Sequence, residues 1–177
     1  MYNFSIKKLS PEQKKLRKRI LEISFESNFS HLGSCLSAVD LIESIYKYKK
    51  KNERFVLSNG HSGVALYAVL EKHGFIKNPT ITKKLGVHPD RNIDLDIPAS
   101  TGSLGQGLPI ALGMALSDKK ENVYCMLSDG ECAEGSIWEA LRVAYEKKVY
   151  NLRIIVNANG WSAYDKVNLV NLIKRFQ

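Results

Sequence analysis

Cysteine is scarce in this chain: three among 177 residues, at Cys35, Cys125 and Cys132. The number is odd and no two form a Cys-x-x-Cys pair, which argues against a disulfide framework or a zinc site and fits a reducing compartment. Long apolar runs are also missing. The longest, Leu108 to Leu116, contains Pro109 and Gly113 and falls well short of the roughly 20 residues a helical membrane span requires. Met1-Tyr2-Asn3-Phe4-Ser5 shows no apolar leader, so a cytoplasmic protein without a membrane partner is the expectation. Internal repeats, low-complexity tracts and linker-like stretches are lacking, and residues 1–177 are therefore read as one domain. A chain of this length buries about 70% of its unfolded surface and needs no covalent staple.

Acidic residues are outnumbered, 18 against 26 lysines and arginines, for a formal charge of +8. Much of the excess lies in Lys14, Lys15, Arg17, Lys18 and Arg19, and in Lys47, Lys49, Lys50 and Lys51. Both runs share their segments with apolar residues at helical spacing (Leu16, Ile20, Ile23; Leu41, Ile42, Ile45). That pattern predicts solvated faces of amphipathic helices. A nucleic-acid surface would interleave aromatics or carry a known module, and neither is present. The positive field instead suits attraction of phosphorylated small molecules.

The element order follows from periodicity and punctuation. Ser10-Pro11 predicts an N-cap and first helical residue, opening a helix to about Asn28. A second helix is expected near Ser37, with Ser37 as its cap and Asp40 in its first turn. Phe55 to Leu57 reads as a short buried strand, followed by a helix to about His73 that Gly74 stops. Lys77 to Ser100, with Pro79, Pro89 and Pro98, reads as a long functional loop, and Leu108 to Leu116 as a helix. Val123 to Leu127 and Leu152 to Val156 are continuous apolar strands around a helix at Ile137 to Lys147. This is a βαβ unit with parallel strands, and Lys166 to Phe176 predicts a last helix. The fold class is α/β, a parallel β-sheet flanked by helices on both faces.

Ligands bind outside the carboxyl ends of parallel strands, and here both strands of the βαβ unit run into oxygen donors. The first leads to Ser128-Asp129-Gly130-Glu131 and the second to Asn157-Ala158-Asn159-Gly160. One carboxylate and one amide carbonyl suit Mg²⁺ or Ca²⁺, with the shell completed by phosphate oxygens. Gly130 leaves room for a phosphate near the backbone, although each motif alone is also an ordinary turn. Thr101-Gly102-Ser103-Leu104-Gly105-Gln106-Gly107 is Gly-rich and opens a helix, but its order is neither a dinucleotide fingerprint nor a P-loop. His73, beside Gly74, reads as a helix-end residue. His31, His61 and His88 lie in loops or at helix starts, and spacing does not connect them.

Taken together, several segments resemble the thiamine-diphosphate-binding N-terminal module of transketolases. These are His31-Leu32-Gly33-Ser34, Leu36 to Leu41, Arg54 to His61, His88-Pro89-Asp90, Ser100 to Gly107, Ser128 to Glu131, Glu134 to Ala140, and Asn159-Gly160. They follow the family's order from about residue 10 onward. The resemblance implies a thiamine-diphosphate-binding fold and transfer of a two-carbon ketol unit between sugar phosphates. It implies Asp129, Asn159 and the backbone carbonyl of Trp161 as metal ligands, with Gly130 against the diphosphate. It implies Gly102, Ser103 and Leu104 beside the aminopyrimidine, and His61 at the diphosphate and reaction centre. His31 and His88 would face substrate, and Glu134 and Glu139 a partner's cofactor site. Ser128, Ser30 and Val87 stand where the family usually has glycine. Transketolases also use a pyrimidine-binding module that is not in this sequence, and the final strand or strands of this module are not in it either. Either the chain works in a hetero-oligomer in which a C-terminal transketolase-like subunit supplies the pyrimidine module, as in split transketolases, or the sequence is a fragment or a protein with another role. Two competing readings are a non-catalytic binding protein that keeps the fold, and the α subunit of a 2-oxo-acid decarboxylating enzyme.

Overall fold

Ser10 opens the first helix through a reciprocal pair of bonds: Gln13 N donates to Ser10 Oγ at 3.2 Å, and Ser10 N to Gln13 Oε1 at 2.9 Å. Two orphan amides are thereby satisfied, Pro11 supplies a preset φ, and α1 runs over Pro11–Ser27 until Asn28 turns left-handed. The structure is a computed structural model that describes residues 8–177; the expectation drawn from Met1 to Ser5 lies outside the described residues. The remaining elements are α2 (Leu32–Tyr48), β1 (Arg54–Leu57), α3 (Gly63–Lys72), α4 (Gly107–Ser117), β2 (Val123–Ser128), α5 (Gly135–Glu146), β3 (Leu152–Asn157) and α6 (Leu169–Arg175).

The three strands form a parallel sheet in the order β1-β2-β3, with Arg54 opposite Val123 and Val123 opposite Leu152. Alternation along the strands divides the interior into two layers. Phe55, Leu57 and Met126 point into a core built with Leu16, Ile20 and Ile23 of α1, Val39 and Ile42 of α2, and Val64 to Leu70 of α3. Val56, Val123, Cys125 and Leu127 point the other way, onto Leu108, Ala111 and Ala115 of α4, Ile137 and Ala140 of α5, and Leu172 of α6. This is the expected parallel sheet with helices on both faces, and among the described residues no helix is long and apolar enough to cross a membrane.

Four expectations need correction. Helix α2 starts at Leu32, five residues before Ser37, because His31 takes a left-handed conformation (φ 68°) that turns the chain into the helix. Ser37 is therefore inside the helix, and its Oγ donates to Ser34 O. Asp40 likewise leaves the first turn and holds Arg17 in a two-pronged ion pair, at 2.7 and 3.0 Å. The basic runs are only partly solvated. Arg17 and Arg19 pin α1 to α2 and α3 through Asp40 and Glu71, and the Lys49 side chain is 3% exposed, 2.9 Å from Asp96 and 5.0 Å above the Tyr46 ring. Finally, α6 begins at Leu169 rather than Lys166, since Lys166 bridges back to Trp161.

The long loop is tied down at its centre: Tyr67 Oη donates to Gly86 O at 2.8 Å, and Thr101 N to Pro89 O at 3.1 Å. Short 3₁₀ turns at Pro79–Lys84 and Ile93–Leu95 take up part of its length. All three cysteines are free and buried. Burial, and then the nearby charges of Glu131 and Asp129, push the Cys132 thiol up to about 12, which keeps it inert.

Candidate functional site

Each strand ends in a turn at the same edge of the sheet, as parallel pairing requires. β1 gives way to Ser58-Asn59-Gly60-His61, β2 to Ser128-Asp129-Gly130-Glu131, and β3 to Asn157-Ala158-Asn159-Gly160-Trp161. Between them and the Gly-rich loop opens a cleft of about 790 Å³, within the usual size of a cofactor site.

Asp129 is buried at 2% exposure below the cleft surface. Its Oδ1 accepts from Gly130 N at 3.0 Å and its Oδ2 from Gly160 N at 2.6 Å, which fastens the β2 turn to the β3 turn. Asn159 Oδ1 accepts from Trp161 N at 2.9 Å, and its Nδ2 reaches Ser37 Oγ of α2 at 3.3 Å. The turns that carry the two residues thus meet, as their places after neighbouring strands predicted. A carboxylate has about four lone-pair directions, so these bonds leave acceptor capacity on both side chains. One carboxylate, one amide oxygen and the Trp161 carbonyl make a hard, all-oxygen donor set that fits Mg²⁺ or Ca²⁺. Among the described residues no group of three or more His, Cys, Asp or Glu side chains is placed to hold a metal, so any cation here depends on that mixed set. A Cβ on Gly130 would lie 2.9 Å from Ser162 Cα, and its absence lets the chain after β3 pack directly on the β2 turn.

Spacing could not relate the histidines, yet three of them converge. The rings of His31 and His61 lie 5.7 Å apart and those of His31 and His88 6.0 Å apart. His31 comes from the start of α2, His61 from the β1 turn and His88 from the pinned loop. Burial pushes His61 down to about 4, with the charges of His31 and His88 adding to the effect, so it is neutral at pH 7 and able to accept or donate a proton. His73 lies elsewhere, 3.0 Å from Glu43 at the helix end where it was expected.

Close backbone approaches shape the cleft wall. A Cβ on Gly60 would meet the Thr101 carbonyl carbon at 2.5 Å, and one on Gly102 (φ +142°) would meet the His88 ring at 2.8 Å. Asn59 Oδ1 and Thr101 Oγ1, on these touching segments, are buried without a hydrogen-bond partner among the described residues. Buried polar atoms are normally satisfied, so the two are exceptions, and neither residue is in the cleft lining.

Of the residues expected from sequence, His31, His61, His88, Gly102, Leu104, Gly130, Glu134, Asn159 and Trp161 line the cleft. Ser103 is exposed outside the lining and Asp129 is buried beneath it. Glu139 is on the outer surface of α5, paired with Arg142. Sequence reasoning took Ser37 for a helix cap and gave it no place in the site, where it accepts from Asn157 and Asn159, because nothing local marks a mid-helix serine as a contact of a distant turn. It also passed over Glu131, fully buried, whose only signal was a carboxylate directly after an Asp-Gly turn. Burial raises the Glu131 carboxyl, opposed by donors from Ser58, Gly105 and Ser128.

Residues 15–172 match the family model described as transketolase, thiamine diphosphate binding domain. One of the subunits of the apulose-4-phosphate transketolase of Phocaeicola vulgatus is 34% identical across 87% of this chain and 62% of its own length. Human transketolase is 34% identical across 92% of this chain and 29% of its own length. This chain therefore spans less than two thirds of these relatives. Among solved structures, a transketolase mutant from Pichia stipitis superimposes with a TM-score of 0.75 at 25% identity, over 95% of this chain and 31% of that one. The transketolase of Leishmania mexicana shares the fold at a TM-score of 0.70 and 23% identity, over 84% of this chain and 27% of that one. The chain belongs to the transketolase family, and its match lies in that family's thiamine-diphosphate-binding domain.

Proposed function

We propose that the chain is a single diphosphate-binding module that holds thiamine diphosphate and a divalent cation and serves two-carbon ketol transfer between sugar phosphates. In this reading a second polypeptide carries the pyrimidine module, and the working unit is a cytoplasmic hetero-oligomer. The observation that carries the proposal is the meeting of His31, His61 and His88 above the Asp129–Asn159 turn pair, at the carboxyl edge of a parallel sheet. Support for a partner comes from two relatives, each named as one of the subunits of an apulose-4-phosphate transketolase rather than as the whole enzyme.

Asp129, Asn159 and the Trp161 carbonyl would hold Mg²⁺ against the diphosphate, with Gly130, in the cleft lining, beside it. Gly102, Ser103 and Leu104 would lie along the aminopyrimidine. Thiamine diphosphate, when bound, supplies the electron sink that ketol transfer needs. The chain contributes position and protons. Neutral His61 can hand a proton to or from an oxygen of the sugar, and His31 and His88 can donate hydrogen bonds where negative charge develops. Glu134, exposed at the cleft, would face the partner. The charge of +8 favours encounter with phosphorylated substrates, although among the described residues no lysine or arginine is in the cleft lining.

The test is to assay the purified chain with Mg²⁺, thiamine diphosphate and ketose and aldose phosphates, alone and with a pyrimidine-module partner. Ketol transfer is expected only in the mixture and is lost in His61→Ala. Failure of every such pairing, with 2-oxo acids consumed instead, would replace this reading by the decarboxylase one.

A further inference from the structure

We propose that Glu131 and Ser136 are positioning residues that clamp the backbone at Gly105, and so set where the Gly102–Leu104 loop meets the ring end of a bound thiamine diphosphate. The inference rests on the cofactor reading above. Glu131 is 0% exposed, and each of its partners belongs to a different wall of the cleft. Its Oε1 accepts from Ser58 Oγ at 2.5 Å and from Gly105 N at 2.8 Å, and its Oε2 accepts from Ser128 N at 3.3 Å. Ser58 precedes the His61 turn, Gly105 belongs to the Gly-rich loop, and Ser128 precedes Asp129. From the start of α5, Ser136 Oγ donates to Gly105 O at 2.8 Å.

Gly105 is thus held at both its amide and its carbonyl by the β2–α5 connection. It has the left-handed φ of +81°, and a Cβ there would run into Glu134 Cβ at 2.8 Å, so the loop lies directly on that connection. On either side, the nearest backbone anchors are Thr101 N to Pro89 O and Ile110 N to Gln106 O. The same connection begins with Asp129 and Gly130, which face the diphosphate end in the proposed complex. One short rigid segment therefore registers both ends of a two-ended ligand. A residue that served only packing would not need three donors drawn from three cleft-forming turns.

The experiment compares wild type, Glu131→Ala, Glu131→Gln and Ser136→Ala in the full chain. The first readout is amide exchange of the unliganded protein, followed residue by residue. The second is calorimetric titration with thiamine diphosphate and Mg²⁺, in the presence of the pyrimidine-module partner where binding requires it. Loss of the clamp is expected to speed exchange at Gly105 and its loop neighbours while the β2 and β3 amides stay protected, and to weaken cofactor binding by about tenfold per lost anchor. Glu131→Gln keeps an oxygen for Ser58 and Gly105 but turns its NH₂ toward Ser128 N, so it is expected to restore both readouts in part. Ser136 is exposed, so Ser136→Ala folds even if Glu131→Ala does not. Unchanged loop exchange in Ser136→Ala, or uniform loss of protection across the sheet in Glu131→Ala with no rescue by Gln, would overturn the clamp. Absence of cofactor binding by wild type in every combination would refute the cofactor reading, and the exchange data on the unliganded chain would still decide the clamp.

Discussion

Gly60 shows how narrowly single atoms are fitted at this site. An added methyl would sit 2.5 Å from the Thr101 carbonyl carbon and 2.6 Å from Gly102 N, and backbone, unlike a side-chain tip, has nowhere to move. Gly60→Ala is therefore expected to push the Gly-rich loop off the β1 turn and cost about 2–3 kcal/mol in urea unfolding. Gly113 of α4 is the control: nothing lies within 4 Å of its added Cβ, so Gly113→Ala should stabilise by about 0.5–1 kcal/mol through helix propensity. His61 gives the pH counterpart. Its pKa of about 4 lies below the ordinary 6.5, so on acidification the unfolded chain takes up a proton that the folded chain refuses. The stability from keeping it neutral is full above pH 6.5 and is lost as pH falls toward 4. Part of the ring meets solvent, which limits the effect to about 1–2 kcal/mol. Chemical denaturation across that window should show a shallower acid slope for His61→Asn than for wild type; equal slopes would place the titrating group elsewhere.

At the scale of elements, α1 is held by ion pairs as well as by its apolar stripe. Arg19 meets Glu71 of α3 through two bonds of 2.6 and 2.8 Å, with side chains 22% and 13% exposed. Partial burial and paired geometry raise such a contact above the usual surface pair. A double-mutant cycle of Arg19→Met and Glu71→Gln should give a coupling of about 1–2 kcal/mol, and a value near zero would leave α1 docked by Leu16, Ile20 and Ile23 and by the Arg17–Asp40 pair. That apolar stripe was legible in the sequence, as were the cap at Ser10, the strands and the parallel βαβ unit, because all of these are local patterns of period 3.6 or 2. The start of α2 was not legible, since His31 turns the chain by a left-handed backbone without a side-chain cap bond, while Ser37 offered the familiar cap chemistry. The burial of Lys49 against Asp96 and Tyr46 was hidden inside a run of lysines, because Asp96 arrives from a loop far along the chain. In the site, the meeting of the Asp129 and Asn159 turns followed from strand order. The grouping of three histidines did not, since it depends on how three unrelated loops are folded back; family resemblance, not spacing, supplied that expectation.

For the molecule as a whole, the cleft joins two halves that otherwise have separate cores. His31 and His61 extend from the layer of α1, α2 and α3, whereas Glu134 and Asn159 belong to segments beside α4, α5 and α6. Polar connections between them include Asn157 and Asn159 to Ser37 and Ser58 to Glu131. A ligand that touches both halves adds its binding energy to global folding, because the unfolded chain offers it no assembled site. At about one hundred times its dissociation constant such a ligand stabilises by about 2.7 kcal/mol. For a chain of this size that corresponds to a rise in melting temperature of about 5–10 °C. Thiamine diphosphate with Mg²⁺ is expected to produce this shift in a thermal melt, and chelation of the metal to abolish most of it, since the diphosphate would then face Asp129 without a cation between them. Asp129→Asn should reduce the shift while keeping a side chain of the same shape below the cleft. A full shift in the presence of chelator would mean that the cofactor is held by backbone amides and the histidines alone, and Asp129 would then be only the bolt that joins the β2 and β3 turns.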